Sequence, residues 1–401
     1  MVNIKDTNKY DRALFVLLTA LFSGNMSGFL LLPRTCSILL LPLLLNTTNR
    51  VHLSIKAKNF FVLFAFCATL SLVWTLDLKN GFTELLLLYF NLIYAYEIII
   101  FATHSTKPIY LLSLGWIVAL AINNTIGIWE IFTDNHLSVS KFGSDHQMMI
   151  DGRYVFMRYA NGFFSNYNAF VTFTCCSLPF LYYLIFNSSN RLFRMACICN
   201  LLLSVYILFM NASRGGLLAL AVTSIAFMFF LFRKTNSKKF VILFACFLIG
   251  FLIYSWDSIS FLIMGRQAQA GDIQDEARWP VWINAISVLI DTYGLGSGVG
   301  GLSEAMSQYK TTSVLAPHNA FLEILSQYGV IVFVSFVAFI YRIWKRSIKL
   351  DNYPYRVIVY SSLLAMPAIF IINSVNLNQP YFWAFFSSLF VVSISNVYNN
   401  I

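Results

Sequence analysis

Apolar residues run in long blocks along the whole chain, broken by short polar stretches. About twelve apolar segments can be drawn, near 13–32, 36–46, 60–76, 82–102, 108–129, 163–186, 192–211, 215–232, 240–256, 318–341, 356–374 and 381–398. Most approach the roughly 20 residues that carry a helix across a ~30 Å hydrocarbon layer. Lipid offers the backbone no hydrogen-bond partners, so such segments must be helices. The pattern predicts an all-α, polytopic integral membrane protein of about twelve transmembrane helices, with residues 1–401 as one transmembrane domain. Segment 36–46 is short enough to be tilted or re-entrant. Two connections are long, 130–162 and 257–317, and the second, inserted between the ninth and tenth segments, is large enough for structure of its own. Within it, Trp279, Trp282, Ile283, Ile286, Leu289 and Ile290 share one helical face, with Pro280 in the first turn and Gly294 as the stop. The large outer loop is thus expected to carry an amphipathic helix lying in the plane of the membrane interface.

Composition supports the membrane reading. Hydrophobic residues make up 58% of the chain and charged residues 11%, against about 25% charged in ordinary soluble domains. All seven cysteines fall in or beside apolar segments, which argues against a disulfide framework, and Cys197-Ile198-Cys199 has the wrong spacing for a zinc knuckle. Lys5, Lys9 and Arg12 precede an apolar run that continues to Leu32 with no Ala-x-Ala site, so an uncleaved first helix is expected rather than a signal peptide. The net charge of +10 would by itself raise the question of nucleic acid. With the N-terminus inside, however, the inner loops collect 18 of the 27 Lys and Arg and only Asp6, Asp11 and Asp351. The charge therefore follows the positive-inside rule, both termini are expected in the cytoplasm, and no nucleic-acid partner is called for. Nine basic residues fall outside against that rule: Arg34, Lys79, Lys141, Arg153, Arg158, Arg214, Arg266, Arg278 and Lys310.

Several outer motifs offer chemistry. Ser213-Arg214-Gly215-Gly216 stands where the seventh helix turns into the eighth. An arginine there either snorkels to the interface or clamps an anion, its planar fork matching a phosphate. Glu276-Ala277-Arg278-Trp279-Pro280-Val281-Trp282 opens the amphipathic helix, and Arg278 is either a surface charge or a second phosphate contact. Pro317-His318-Asn319 opens the tenth helix, with Asn319, Glu323 and Gln327 on one stripe facing the bundle interior. His318 either makes a local hydrogen bond or acts as a general base, since imidazole titrates near neutral pH. Gly296 to Gly301 fits Gly-x-Gly-x-x-Gly but follows a helix, not a strand. The dinucleotide reading fails that context, and these glycines are expected to bring backbone close to a ligand or a neighbouring helix. Asp134, His136, Asp145, His146 and Asp151 in the first long loop match no metal-ligand spacing, so neither metal nor cofactor is expected.

Two outer arginines and an outer histidine around a membrane cleft suit transfer from a lipid diphosphate: the arginines hold the leaving diphosphate and the histidine activates an acceptor hydroxyl. The order of Ser213-Arg214-Gly215, Arg278-x-x-x-Trp282, Gly294 to Gly301 and Pro317-His318-Asn319-x-x-Leu322-Glu323 resembles the O-antigen ligase and O-antigen polymerase superfamily. The stretch Arg158-Tyr159-Ala160-Asn161-Gly162, continuing to Asn168, resembles a further element of that superfamily, so the likeness covers roughly 158–330. It implies a metal-independent, inverting glycosyltransferase at the periplasmic face of a bacterial inner membrane. The implied donor is an undecaprenyl-diphosphate-linked glycan and, for a ligase of lipopolysaccharide biosynthesis, the acceptor is lipid A–core. On the same resemblance Arg214 and Arg278 bind the diphosphate, Arg158 is a further candidate, and His318 is the base. Ser213, Trp282, Asn319 and Glu323 then have supporting roles. A polymerase uses the same donor, and these residues do not separate the two. A transporter or flippase would show inverted repeats and a midplane site, and the chain shows neither. A metal-dependent polyprenol-sugar transferase would want carboxylates in the first outer turn, where Pro33-Arg34-Thr35 has none.

Overall fold

In the computed structural model the described residues are 4–26, 31–47, 55–139, 147–150, 153–156, 158–232, 278–309, 315–373 and 376–395. The ninth apolar segment, 240–256, lies outside them, as do 257–277 of the large loop and Asp145, His146 and Asp151. The helices run α1 (Ile4–Thr19), α2 (Leu32–Leu45), α3 (Ile55–Leu70), α4 (Leu78–His104), α5 (Pro108–Thr133), α6 (Tyr167–Asn187), α7 (Arg191–Met210) and α8 (Arg214–Phe232). After the gap come α9 (Arg278–Asp291), α10 (Leu302–Ser307), α11 (Ala320–Ser347), α12 (Tyr353–Ile369) and α13 (Pro380–Ser393). The first long loop adds one antiparallel hairpin, β1 (Gln147–Ile150) with β2 (Arg153–Phe156), in the register Gln147 to Phe156 and Ile150 to Arg153.

The chain is an all-α polytopic membrane protein in its core. Among the described residues, five helices are long and apolar enough to cross a bilayer, namely α4, α5, α6, α7 and α11. Four shorter apolar helices accompany them, Leu32–Leu45, Asn59–Val73, Arg214–Phe230 and Pro380–Ser393. Two expected spans differ in detail. Helix α1 stops at Thr19 and passes through a 3-10 turn (Ala20–Ser23) to Gly24, whose φ is +47°. A Cβ at Gly24 would lie 2.4 Å from the carbonyl oxygen of Phe163, and the first helix ends short of the expected Leu32. Helix α11 is broken at Gly329, where φ is 82° and ψ 178°, a conformation open essentially to glycine alone.

Packing interleaves the two ends of the chain. Helix α4 packs on α13, α1 on α5 and α4, and α8 along α12. The buried Arg34 of α2 shows the same interleaving: its Nε donates to Asn91 Oδ1 (3.2 Å) and its Nη2 to the carbonyl of Asn378 (2.6 Å). This arginine, one of the nine basic residues that the charge rule leaves unexplained, is therefore part of the bundle's internal hydrogen bonding.

The helix ends that the charge pattern puts on one side do meet one another. Asn25 N–H donates to Phe163 O (2.8 Å), joining the α1 and α6 ends. At the opposite end Asp11 accepts from Ser105 Oγ (2.6 Å), Thr106 N (3.0 Å) and Thr106 Oγ1 (2.7 Å).

The glycine-rich turn serves packing against neighbouring helices. Val299 N donates to Ser71 Oγ (2.9 Å), Trp74 Nε1 to Gly296 O (3.0 Å), Thr75 Oγ1 to Val299 O (2.9 Å) and Asn80 Nδ2 to Gly300 O (2.7 Å). On its other side Ser297 N and Gly298 N reach the carbonyls of Ser326 and Gln327 at the break in α11, at 2.8 and 3.0 Å. A Cβ at Gly296 would fall 2.7 Å from Gln327 O, and one at Gly329 2.5 Å from Leu295 O. The two backbones touch, so the close approach that these glycines permit is to a neighbouring helix.

Candidate active site

Helix α12 ends at Ile369 with Pro367 in its last turn, and a helix end leaves carbonyls without intrahelical partners. Three elements come to that end. Ala320 N–H, at the start of α11, donates to Phe370 O at 3.0 Å. Arg278 Nη1, at the start of α9, donates to Ile371 O at 3.1 Å. Gly215, at the start of α8, packs so closely that a Cβ there would sit 2.8 Å from Cγ1 of Ile372. The turn 370–372 thus gathers the starts of the helices that carry Arg214, Arg278 and His318.

This convergence has an electrostatic consequence. A helix start carries a partial positive charge and ordinarily prefers a carboxylate nearby. Neither α8 nor α9 has an acid in its first turn, and each begins instead with an arginine. Such an arrangement favours an anion, because helix-start N–H groups and guanidinium forks can share one negative ligand. Arg214 is exposed at the first position of α8, and Ser213 Oγ accepts from Gly216 N (3.3 Å), which caps that helix.

The local frame around His318 is unusual. Its φ is +47°, a left-handed conformation that costs a residue with a Cβ about 1–2 kcal/mol. Neighbours impose it. Trp282 Nε1 donates to the carbonyl of the buried Pro317 at 2.8 Å. Asn319 Oδ1 accepts from Phe321 N (3.0 Å) and Leu322 N (3.4 Å), so Asn319 is the N-cap of α11. His318 Nδ1 is buried and meets no hydrogen-bond partner among the described residues. Burial, and after it the positive charge of Arg278, hold the imidazole pKa down near 4. At neutral pH the ring therefore carries a free lone pair beside a guanidinium.

The remaining expected residues do different work. Glu323 is buried in the first turn of α11, where its carboxylate accepts from Asn376 N (3.0 Å) and Leu377 N (3.4 Å). It fastens the segment that follows the 370–372 turn. Gln327 Nε2 donates to Glu84 Oε2 (2.7 Å), tying α11 to α4. Arg158 is not brought to the 370–372 turn by any contact: its Nη1 donates to Ile131 O and Phe132 O, both 3.1 Å, and so closes the end of α5. Helix α9 presents Trp279, Ile283, Ile286 and Ile290 outward, while Val281, Ala285 and Val288 pack on Leu302, Ala305 and Met306 of α10. Its stop differs from expectation. Tyr293 takes the left-handed position (φ 51°), and Gly294 follows it with N–H donated to Leu289 O at 2.8 Å.

The carbonyls of Phe370 and Ile371 escape a reading by side chains, because backbone groups leave no mark in a residue pattern. The one available signal was Pro367 near the end of an apolar segment, which foretells a helix end with bare carbonyls.

Residues 199–337 match the O-Antigen ligase family. That range carries Ser213, Arg214, Arg278, Trp282, His318, Asn319 and Glu323, whereas Arg158 and the 370–372 turn lie outside it. The chain is also similar to the teichuronic acid biosynthesis protein TuaE of Bacillus subtilis (strain 168), 23% identical over 354 residues, which cover 83% of this chain and 70% of that protein. Together with the apolar helices, these two similarities support a membrane enzyme of the O-antigen ligase and polymerase type in polysaccharide biosynthesis.

Proposed function

We propose that this chain is an O-antigen ligase, transferring a finished glycan from undecaprenyl diphosphate to lipid A–core at the periplasmic face of the bacterial inner membrane. The observation that carries the reading is the meeting of the α8, α9 and α11 starts on the 370–372 turn, with two arginines and a neutral histidine among them. The acceptor hydroxyl oxygen attacks the anomeric carbon while the bond from that carbon to the diphosphate oxygen breaks. The electron pair leaves with the diphosphate, and the configuration inverts. Arg214 and Arg278 take up the charge that grows on the departing diphosphate, a stabilisation that needs no metal. His318 receives the hydroxyl proton. Trp282, Asn319 and Ser213 fix the geometry of these groups, and Glu323 supports the turn from below. The domain unit is the whole bundle, with the large periplasmic loop 257–317 delivering Arg278.

A second reading keeps the donor and changes the acceptor: a polymerase extends the glycan on its carrier. It is favoured by the similarity to a protein named for teichuronic acid biosynthesis. Lipopolysaccharide gels of a deletion strain decide between them. Loss of a ligase leaves core without repeat units, and loss of a polymerase leaves core capped by one unit. For the site itself, His318→Ala should lower transfer by purified protein about 10²- to 10⁴-fold, as expected for a general base. Full activity in His318→Ala, Arg214→Ala and Arg278→Ala would overturn the assignment.

A further inference from the structure

The outer face carries a second imidazole that the transfer step does not use. Glu130 lies in the last turn of α5 and is fully buried. A helix disfavours a carboxylate at that end, where its own carbonyls already point outward. Glu130 Oε2 accepts from the N–H groups of Asn161 and Gly162, each at 2.7 Å, and its Oε1 lies 3.3 Å from Nδ1 of His136. Asn161 Nδ2 stands 3.4 Å from the same Nδ1. An ionised carboxylate only accepts, so the better partner for it is Nδ1 carrying a proton. That choice leaves Nε2 as the nitrogen able to meet something else, which is how a carboxylate orients a working imidazole.

The frame around this pair is rigid. Arg158 holds the end of α5, Phe163 N donates to Asn123 Oδ1 (3.0 Å), and Gly162 sits at φ +55° where a Cβ would fall 2.6 Å from that oxygen. Ala160 exchanges two hydrogen bonds with the side chain of Asn211, at 2.7 and 2.9 Å. Asn211 closes α7 just before Ser213 and Arg214. Followed contact by contact, the start of α8 is linked to two imidazoles. On one side, through Asn211 and Ala160, is the Glu130–His136 pair; on the other, through Gly215 and the 370–372 turn, are Arg278 and His318.

Charge separates the roles of the two sides. Arg214 and Arg278 are cationic and fit the diphosphate. The Glu130–His136 pair brings a carboxyl group and no guanidinium, so it offers a phosphate no partner and suits an uncharged hydroxyl. We propose that the Glu130–His136 pair is the acceptor subsite, holding a sugar hydroxyl of the incoming glycan on His136 Nε2. This rests on the reading of the chain as a glycan transferase.

Carbethoxylation of His136 by diethyl pyrocarbonate tests it, followed by peptide mass spectrometry on the full chain in lipid nanodiscs. The protein is treated alone, with core oligosaccharide, with O-antigen repeat oligosaccharide, or with undecaprenyl diphosphate. His136 should react, and one of the glycans should slow the reaction several-fold while undecaprenyl diphosphate does not. No reaction at His136, no slowing by either glycan, or slowing by the lipid diphosphate alone would overturn the proposal. Kinetics give a second reading. Loss of one hydrogen bond in His136→Ala should raise the acceptor KM roughly 2- to 12-fold with donor KM unchanged, while the melting midpoint falls because buried Glu130 Oε1 loses its partner. An unchanged acceptor KM, or an equal rise in donor KM, counts against it. If the wild type transfers no glycan and His136 is still shielded by one, the transferase reading has failed and the binding site stands. If transfer proceeds and no glycan shields His136, the subsite has failed alone.

Discussion

Trp282→Phe isolates one hydrogen bond near the proposed base. The ring stays and the Nε1–H that reaches Pro317 O at 2.8 Å is lost. Pro317 is buried, so its carbonyl is left without that partner, a loss worth about 1–3 kcal/mol. The adjoining His318 already bears about 1–2 kcal/mol of left-handed backbone strain, which the Trp282 bond, the Asn319 cap and the Ala320 to Phe370 bond together outweigh. Removing one of the three releases the loop and leaves the other two to hold the helix. If the working arrangement of His318 loses 1–3 kcal/mol against its alternatives, the competent population falls about 5- to 150-fold. The assay is the initial rate of glycan transfer in nanodiscs from a fluorescent undecaprenyl-diphosphate-linked donor, with a thermal melt on the same preparation. A fall in kcat within that range, with donor KM and melting midpoint nearly unchanged, is expected. A wild-type kcat, or a lower kcat accompanied by an equal loss of folded protein, would refute the role of Trp282 in setting His318.

The His318 pKa near 4 makes two statements about pH. In the free protein the ring stays neutral down to about pH 5, so kcat/KM should be level from pH 7 to 5; a bound diphosphate offsets Arg278 and raises the pKa, so the acid limb of kcat should lie at higher pH than that of kcat/KM. Because the folded pKa lies below the unfolded value near 6.5, this group costs stability progressively as pH falls from about 6.5 to 4, and a melt series should show a drop in that window that His318→Gln removes. Gly329→Ala should lower the melting midpoint sharply, since its Cβ would sit 2.5 Å from Leu295 O at φ +82°; an unchanged midpoint would mean that the α11 break and the glycine turn are not in contact. Arg158→Ala should cost only about 0.3–1 kcal/mol through the end of α5 and leave donor KM alone; a raised donor KM would return Arg158 to the diphosphate.

Much of this protein is written in one dimension. Apolar blocks long enough for a bilayer dictate helices wherever they fall, because lipid forbids an unpaired backbone, and the alternation of basic loops groups the helix ends by side. The amphipathic period of 278–291 and the order of Arg214, Arg278 and His318 could also be read directly, since each depends only on neighbours a few residues away. Tertiary contact decided the rest. Whether the glycines faced a ligand or a helix depended on what stood opposite, and that was the break in α11, about 30 residues further on. Arg158 and Arg278 look alike in the sequence, yet one closes the end of α5 and the other joins the 370–372 turn. Their difference lies in bare carbonyls at two helix ends, groups every residue has and no side-chain pattern displays. Glu130 and His136, six residues apart, became a pair only because the amides of Asn161 and Gly162 folded back over the carboxylate.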